Sequence, residues 1–382
     1  MNLPDLLTYA DIDHLLDIVV HYELPRTHSK HELIKTLLVT MQRPAWWDEQ
    51  TKSLSTTESR FWQLVLLDSR ETFNLDELLG KGRQALAEKE GNPRSLVAKA
   101  IKKGVLFPNV AGRNRSLYKV PRDVRKFAIR SIRNRFISEM IVNDEPTMYR
   151  DEQTCLTSDL VCFLTYIGEK GVRLTAEGAI YRQDLQQVLG QMTIKEAPIS
   201  KQRWRFGFGR RYHQYPDRFS LLYDYAYYRE YIVENRQTLS LTMSHPGKIA
   251  SNGREAEKIY KFWLRLYRRP FPELPLIVKW VYLLSQTHWV SIDSLFNYLS
   301  QWITPYYYME REDLFDLLIK MLTHLGVIRS SPTAVQMTES GNECVARSTG
   351  WDLNELDAQY MSVNEQIFFT KQKGISERML NK

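Results

Sequence analysis

The chain has 382 residues, 43% of them hydrophobic and 25% charged, with a formal net charge of +7. That length predicts two to four small modules rather than one core, and the ordinary apolar fraction argues against global disorder. Three cysteines (Cys155, Cys162, Cys344) without CxxC spacing exclude a disulfide framework and a zinc ribbon. Asp5, Asp11 and Asp13 exclude a signal peptide, and Lys279 within the most apolar stretch, 274–284, excludes a membrane span. A soluble intracellular protein is expected, cytoplasmic and nucleoid-associated if bacterial.

Residues 1–45 contain LLDIVVHYELPRTHSKHELIKTLL, two short amphipathic helices flanking an LPRTHSK turn. Leu24, Lys30, Glu32, Leu33 and Ile34 fit the pattern of a SAP-type helix-extended-loop-helix, which resembles a DNA-touching module; a plain helical cap on the next module is the alternative. His28 and His31 form an HxxH with His14 and His21 nearby, but no carboxylate or cysteine completes tetrahedral spacing, so surface histidines are expected and no metal.

Residues 56–120 read as a winged helix. ESRFWQLVLLDSRETFNLDELLGKGRQALAE supplies one clear helix and a shorter one. In GNPRSLVAKAIKKGV (91–105), Asn92 is an N-cap, Pro93 a first helical residue and Gly104 a left-handed C-cap. Leu96, Val97, Ala100 and Ile101 fall on one half of the wheel, and Arg94, Lys99, Lys102 and Lys103 on the other. Two short strand-like runs, VLFPNV and RSLYKV, then flank a turn that carries Arg113 and Arg115, with Lys119 in the second run. In a winged helix the third helix can enter the major groove while the hairpin touches the backbone or minor groove. Residues 81–135 concentrate the charge: 16 Lys/Arg face only Glu88, Glu90 and Asp123, so the remainder of the chain is net acidic. A solvated lysine-rich face on a protein-binding module is the competing interpretation.

A basic linking helix follows within 121–150, carrying Arg122, Arg125 and Lys126 outside an apolar stripe of Val124, Phe127, Ile129, Ile132 and Phe136. A second winged helix is expected over 151–216. It ends in SKQRWRFGFGRRYHQYPDRF, where Lys201, Arg203, Arg205, Arg210 and Arg211 interleave with Trp204, Phe206, Phe208 and Tyr212. Such a stretch can grip and stack single-stranded nucleic acid, or its aromatic residues can anchor a loop to the core. Residues 217–272 are expected to be a helical connector, with Tyr223, Tyr227, Tyr228 and Tyr231 on one face as a packed interface or a stacking platform. A third winged helix spans 273–348. Its third helix exposes Glu310, Arg311, Glu312, Asp313, Asp316 and Lys320, which would repel phosphate, so this module is assigned to protein contact or packing. A polar tail, a docked helix followed by flexible residues, completes the chain from 349 to 382.

Across roughly 150–345 the chain resembles the accessory region at the N-terminus of XPB-type DNA helicases and of free-standing bacterial helicase-associated proteins. The resemblance rests on Arg173, Leu174, Thr175, Gly178, Tyr181 and Asp184, on Leu222 and Tyr223, and on the Trp289–Leu295 segment. It implies a non-motor partner or regulator in DNA repair or transcription. The motor itself is missing: there is no GxxxxGK[ST] loop and no acidic box for Mg²⁺.

No GxSxG, Cys–His pairing or dinucleotide fingerprint suggests an enzyme, and acid–lysine neighbours such as GREAEK and GEKG lack the Asp that a metal-dependent nuclease needs. The expectation is therefore a mainly α protein with small β-hairpin wings: several winged-helix modules plus a small N-terminal helical module. It would be non-enzymatic, need no cofactor, bind DNA through 91–135 and dock a helicase or RNA polymerase. A protein–protein scaffold without nucleic-acid contact is the alternative. DNA binding requires Lys99 and Lys102 to be clear of other modules and of this chain's own carboxylates.

Overall fold

A computed structural model describes residues 1–349 except 88–89, 110–116, 143, 200–205, 251–253 and 307–308. The chain divides into two compact units, 1–138 and 139–351. Both are mainly helical with small three-stranded antiparallel sheets.

The first unit opens with four short helices, α1 (Leu3–Tyr9), α2 (Ile12–His21), α3 (Lys30–Met41) and α4 (Pro44–Lys52); α2 and α3 are the two expected within 1–45, and α1 precedes them. There follow α5 (Thr56–Leu66), β1 (Thr72–Asn74), α6 (Leu75–Leu86), α7 (Pro93–Lys102), β2 (Phe107–Pro108), β3 (Leu117–Lys119) and α8 (Arg122–Met140), whose last two residues belong to the second unit. Local chemistry explains most of these boundaries. Ser55 and Glu58 form a capping box on α5, and Asn74 and Glu77 another on α6. Asn92 Oδ1 accepts the Arg94 N–H at 2.9 Å to start α7. Gly104 takes φ +66° after it, and a Cβ there would come within 2.8 Å of the Met41 methyl. Strand β3 lies between β1 and β2.

Residues 1–45 are not a free-standing SAP-like module. Tyr22 donates its hydroxyl to the Lys103 carbonyl at 3.0 Å, the Leu3 N–H donates to Asp123 at 2.8 Å, and Leu15, Ile18, Leu37 and Met41 are buried. These helices share one core with the repeat that follows.

In the second unit come α9 (Cys155–Lys170), β4 (Val172–Arg173), α10 (Arg182–Gln191), α11 (Asp217–Tyr228), β5 (Ile232–Glu234), β6 (Thr238–Leu241), α12 (Gly247–Ala250) and α13 (Glu255–Tyr267). After these are α14 (Leu274–Ser285), β7 (Val290–Ser291), α15 (Ile292–Leu299), a 3₁₀ turn (Ser300–Trp302), α16 (Arg311–His324), β8 (Ile328–Ser330), β9 (Ala334–Met337) and α17 (Glu339–Thr349). The expected helical connector at 217–272 is therefore corrected. It holds α11 and the β5–β6 hairpin, and β6 pairs with β4 upstream. Tyr231 lies beyond α11, and Tyr223 is buried while Tyr228 is half exposed, so the four tyrosines do not form one face. The polar tail expected after 349 lies outside the described residues.

Three times the order is helix, strand, helix, helix, strand, strand, and each time the last strand sits between the other two. In the second unit the third helices of the two repeats, α11 and α16, pack against each other. Every residue of α11 from Arg218 to Ala226 is buried. Burying Arg218 would cost several kcal/mol without compensation. Its guanidinium meets Asp159 at 2.5 Å and Glu152 at 3.2 Å. Glu152 also takes Arg150 at 2.5 Å and His324 Nδ1 of α16 at 3.1 Å. Burial would raise the Glu152 carboxyl, but His324, Arg150 and Arg218 hold it below its ordinary value. Removing Arg218 would leave Asp159 enclosed without a cation among the described residues and Glu152 with Arg150 and His324 alone. Arg218→Met should lower unfolding free energy by about 3–5 kcal/mol in urea titrations; a loss under about 1 kcal/mol would show that the cluster does not hold α11 in place.

Candidate nucleic-acid interface

Helix α7 is built as its sequence suggests, with Leu96, Val97 and Ala100 buried and Arg94, Ser95, Ala98, Lys99 and Lys102 exposed. The cationic half is nonetheless incomplete. Lys103 is buried: its ammonium lies 3.4 Å from Glu58 Oε1 and 5.9 Å from the centre of the Trp62 ring. Lys99 reaches the same oxygen at 3.6 Å. One carboxylate on α5 thus answers two of the four lysine and arginine charges, and the condition that Lys99 be clear of this chain's carboxylates is not met. Burial would raise the Glu58 carboxyl, but hydrogen bonds from Ser55 and the charges of Lys103 and Lys99 hold it below its ordinary value. Lys99 keeps 57% of its side chain exposed and Lys103 only 11%, so the first pair is easily broken and the second is not.

Three of the other expected contact residues, Arg125, Arg122 and Lys119, are engaged within the chain. Arg125 is buried and donates to the carbonyls of Asp68 (2.5 Å) and Arg70 (3.0 Å), which corrects its assignment to the outer face of α8. Arg122 pairs with Glu71. Lys119 is half buried, with its ammonium 3.9 Å from the Met1 sulfur. Lys81, also in the basic stretch, lies 2.7 Å from Asp68, whose carboxyl Arg70 and Lys81 depress strongly despite burial. Lys126 is half buried and makes no charged pair among the described residues. Arg94 and Lys102 remain exposed, with no side-chain partner among the described residues. Arg113 and Arg115, expected at the hairpin tip, lie outside the described residues.

Lys201, Arg203 and Arg205 of the second basic stretch also lie outside the described residues. The adjoining 206–212 segment takes the anchoring alternative. Phe206 and Phe208 meet edge to face at 5.1 Å, and Phe208 meets Tyr267 at 5.6 Å. Arg210 sits 3.8 Å over Tyr227 and 3.0 Å from Glu234, while Arg211 donates to the Glu177 carbonyl at 2.6 Å and lies 3.5 Å from Glu234. Beneath them Asp224 Oδ1 accepts the Arg210 N–H at 3.0 Å, and burial raises the Asp224 carboxyl to about 6.

Sequence reading missed the carboxylates that neutralise these cations. Glu58 had a signal, the Ser-x-x-Glu box at 55–58, but its proximity to Lys99 and Lys103 is tertiary. Arg218, Glu152 and Glu234 had none. Among the described residues no three His, Cys, Asp or Glu groups cluster as a metal site, and His28 and His31 are exposed. No helix among them is long and apolar enough to cross a membrane.

Glu58→Gln keeps the cap but releases both lysines, so it should tighten binding to duplex DNA several-fold in low-salt anisotropy titrations. Unchanged affinity would show that Glu58 does not restrain α7. Because the folded Glu58 carboxyl is depressed, its stabilisation is present above the ordinary value of 4.5 and fades as pH falls through the folded value; the variant should lose that part of the acid limb. Asp224 has the opposite sign. Its folded value is raised, so stability should decline as pH rises from about 4 through 6, by about 3 kcal/mol. Asp224→Asn should flatten that decline in urea midpoints measured from pH 4 to 8, and an unaltered profile would exclude Asp224 as its source.

No family model, curated protein or solved structure matches this chain.

Proposed function

We propose that the chain is a non-enzymatic scaffold of three winged-helix modules whose basic surface meets an acidic protein partner, such as a helicase or RNA polymerase. The thrice-repeated connectivity, with two hairpin strands after the third helix, supports the winged-helix assignment. The observation that carries the scaffold reading is the use made of the third helices. A helix must offer a free side to lie in a groove, and α11 is buried from Arg218 to Ala226, while the exposed side of α16 carries Glu312, Asp313 and Asp316, which repel phosphate. In the first repeat α7 keeps its outer side, but Glu58 answers Lys99 and Lys103. A partner tied to DNA repair or transcription follows from the resemblance over roughly 150–345 to the helicase accessory region.

Direct DNA binding through α7 is the second reading, favoured by the exposure of Arg94 and Lys102. Salt dependence separates the two. Two phosphate contacts give a slope of log K against log salt of about −1.8, and four give about −3.6. The scaffold reading predicts weak duplex affinity with a slope no steeper than the first value, flattened by alanine at Arg94 and Lys102. The steeper slope would restore α7 as a DNA-binding surface and overturn the scaffold.

A further inference from the structure

Helix α13 and the two arginines after it keep charge and apolar side chains on separate sides. Residues 254–269 hold six cations and two carboxylates. At 100° per residue, Arg254, Lys258, Lys261, Arg265, Arg268 and Arg269 all fall within an arc of roughly 100°. Ile259, Tyr260 and Trp263 lie outside that arc and are buried. Arg268 keeps helical backbone angles, so the stripe continues past the last helical residue.

The two carboxylates are engaged at its base. Glu255 is buried, pairs with Lys258 at 2.8 Å and accepts the hydroxyls of Tyr225 (2.6 Å) and Tyr231 (2.9 Å). Glu257 pairs with Lys261 at 2.5 Å and lies 3.6 Å from Arg347. Arg254, Arg265, Arg268 and Arg269 are exposed and meet no carboxylate among the described residues. Beside them stands Tyr228, 50% exposed, stacked on Phe262 at 5.0 Å with the Arg265 guanidinium 4.2 Å from its ring centre.

Clustered arginines around a held tyrosine match the composition of protein–protein hot spots. Four exposed guanidinium groups without carboxylate partners among the described residues complement an anionic surface on a partner. Tyr228 is already engaged by a ring and a cation, so it is poised as a fixed anchor more than as a bare stacking surface for a base. We infer that the α13 face, with Tyr228 at its edge, is the docking surface for an acidic segment of a partner protein, one rich in Asp and Glu and carrying apolar residues that pack on Tyr228 and Phe262. The inference rests on the scaffold reading and locates where the partner binds.

The test uses the full chain and two labelled probes, a peptide of repeated Glu-Glu-Leu and an oligo-dT strand of matching length, followed by fluorescence anisotropy. The peptide should bind. Joint substitution Arg265→Ala, Arg268→Ala and Arg269→Ala should weaken it about tenfold or more, and Tyr228→Ala about fivefold. Arg94→Ala with Lys102→Ala should leave it unchanged. All these side chains are exposed, so circular dichroism should show an intact fold. No peptide binding, or wild-type binding by the triple variant, would overturn the inference. So would tighter binding of oligo-dT lost through the same substitutions, which would make the face a nucleic-acid surface. Wild-type peptide binding by the triple variant would leave the scaffold standing with its partner elsewhere; the duplex salt slope judges the scaffold separately.

Discussion

A charge removed from water must meet an opposite charge or an oriented dipole, and this requirement organises both units. Arg218 sits in the first turn of α11 with no exposure, held by Glu152 and Asp159. Arg125 is enclosed by two carbonyls, and Lys103 by Glu58 and the Trp62 ring. Each arrangement ties a helix to its neighbours at the expense of a cation that would otherwise face outward. Interaction with an external polyanion at such a position would first have to replace the internal partner, which for an enclosed group costs several kcal/mol. For an exposed group such as Lys99 the cost is at most about 1 kcal/mol. Burial, more than the number of lysines and arginines, therefore decides which part of a basic stretch is available.

The repeats apply one connectivity to different ends. In the first, the third helix keeps an outer side and is capped at its C-terminal end by the N-terminal helices, through Tyr22 and Met41. In the second unit the two third helices form each other's packing surface, and the charged cluster of Glu152, Arg218 and His324 lies between them. A helix serving as core wall has to be apolar over most of its circumference. The sequence of α11, DRFSLLYDYAYY, meets that demand with tyrosines, whose hydroxyls reach Glu234 and Glu255.

Much of this architecture was legible in the sequence, and the reasons are local. Asn92, Pro93 and Gly104 mark the ends of α7 because caps and left-handed glycines act within a few residues. In the third repeat the three helices and the hairpin were read in order, since α14 is strongly apolar, α16 is amphipathic and the Ser-Ser-Pro-Thr turn punctuates the hairpin, but strand β7 was read as the start of the second helix. The β5–β6 hairpin was missed because IVENRQTLSL is short, carries two charges and follows a run of tyrosines that suits a helix. The site was legible in residue type but not in availability. Helical spacing identifies which side of α7 is polar, yet Glu58 lies 41 positions before Lys99, and only the folded chain brings them together. The α13 stripe was readable from its spacing; what the sequence lacked was the engagement of Glu255 and Glu257, which leaves four arginines uncompensated.

The central claim is that Lys99 and Lys103 are held by Glu58 of this chain rather than reserved for nucleic acid. Lysine acetylation followed by mass spectrometry, with and without a short DNA duplex at low salt, addresses it residue by residue. Lys103 should react slowly and Lys102 quickly, with duplex slowing Lys102 at most weakly and leaving Lys103 unaltered. Concerted protection of Lys99, Lys102 and Lys103 by DNA, starting from equal reactivity, would contradict the account.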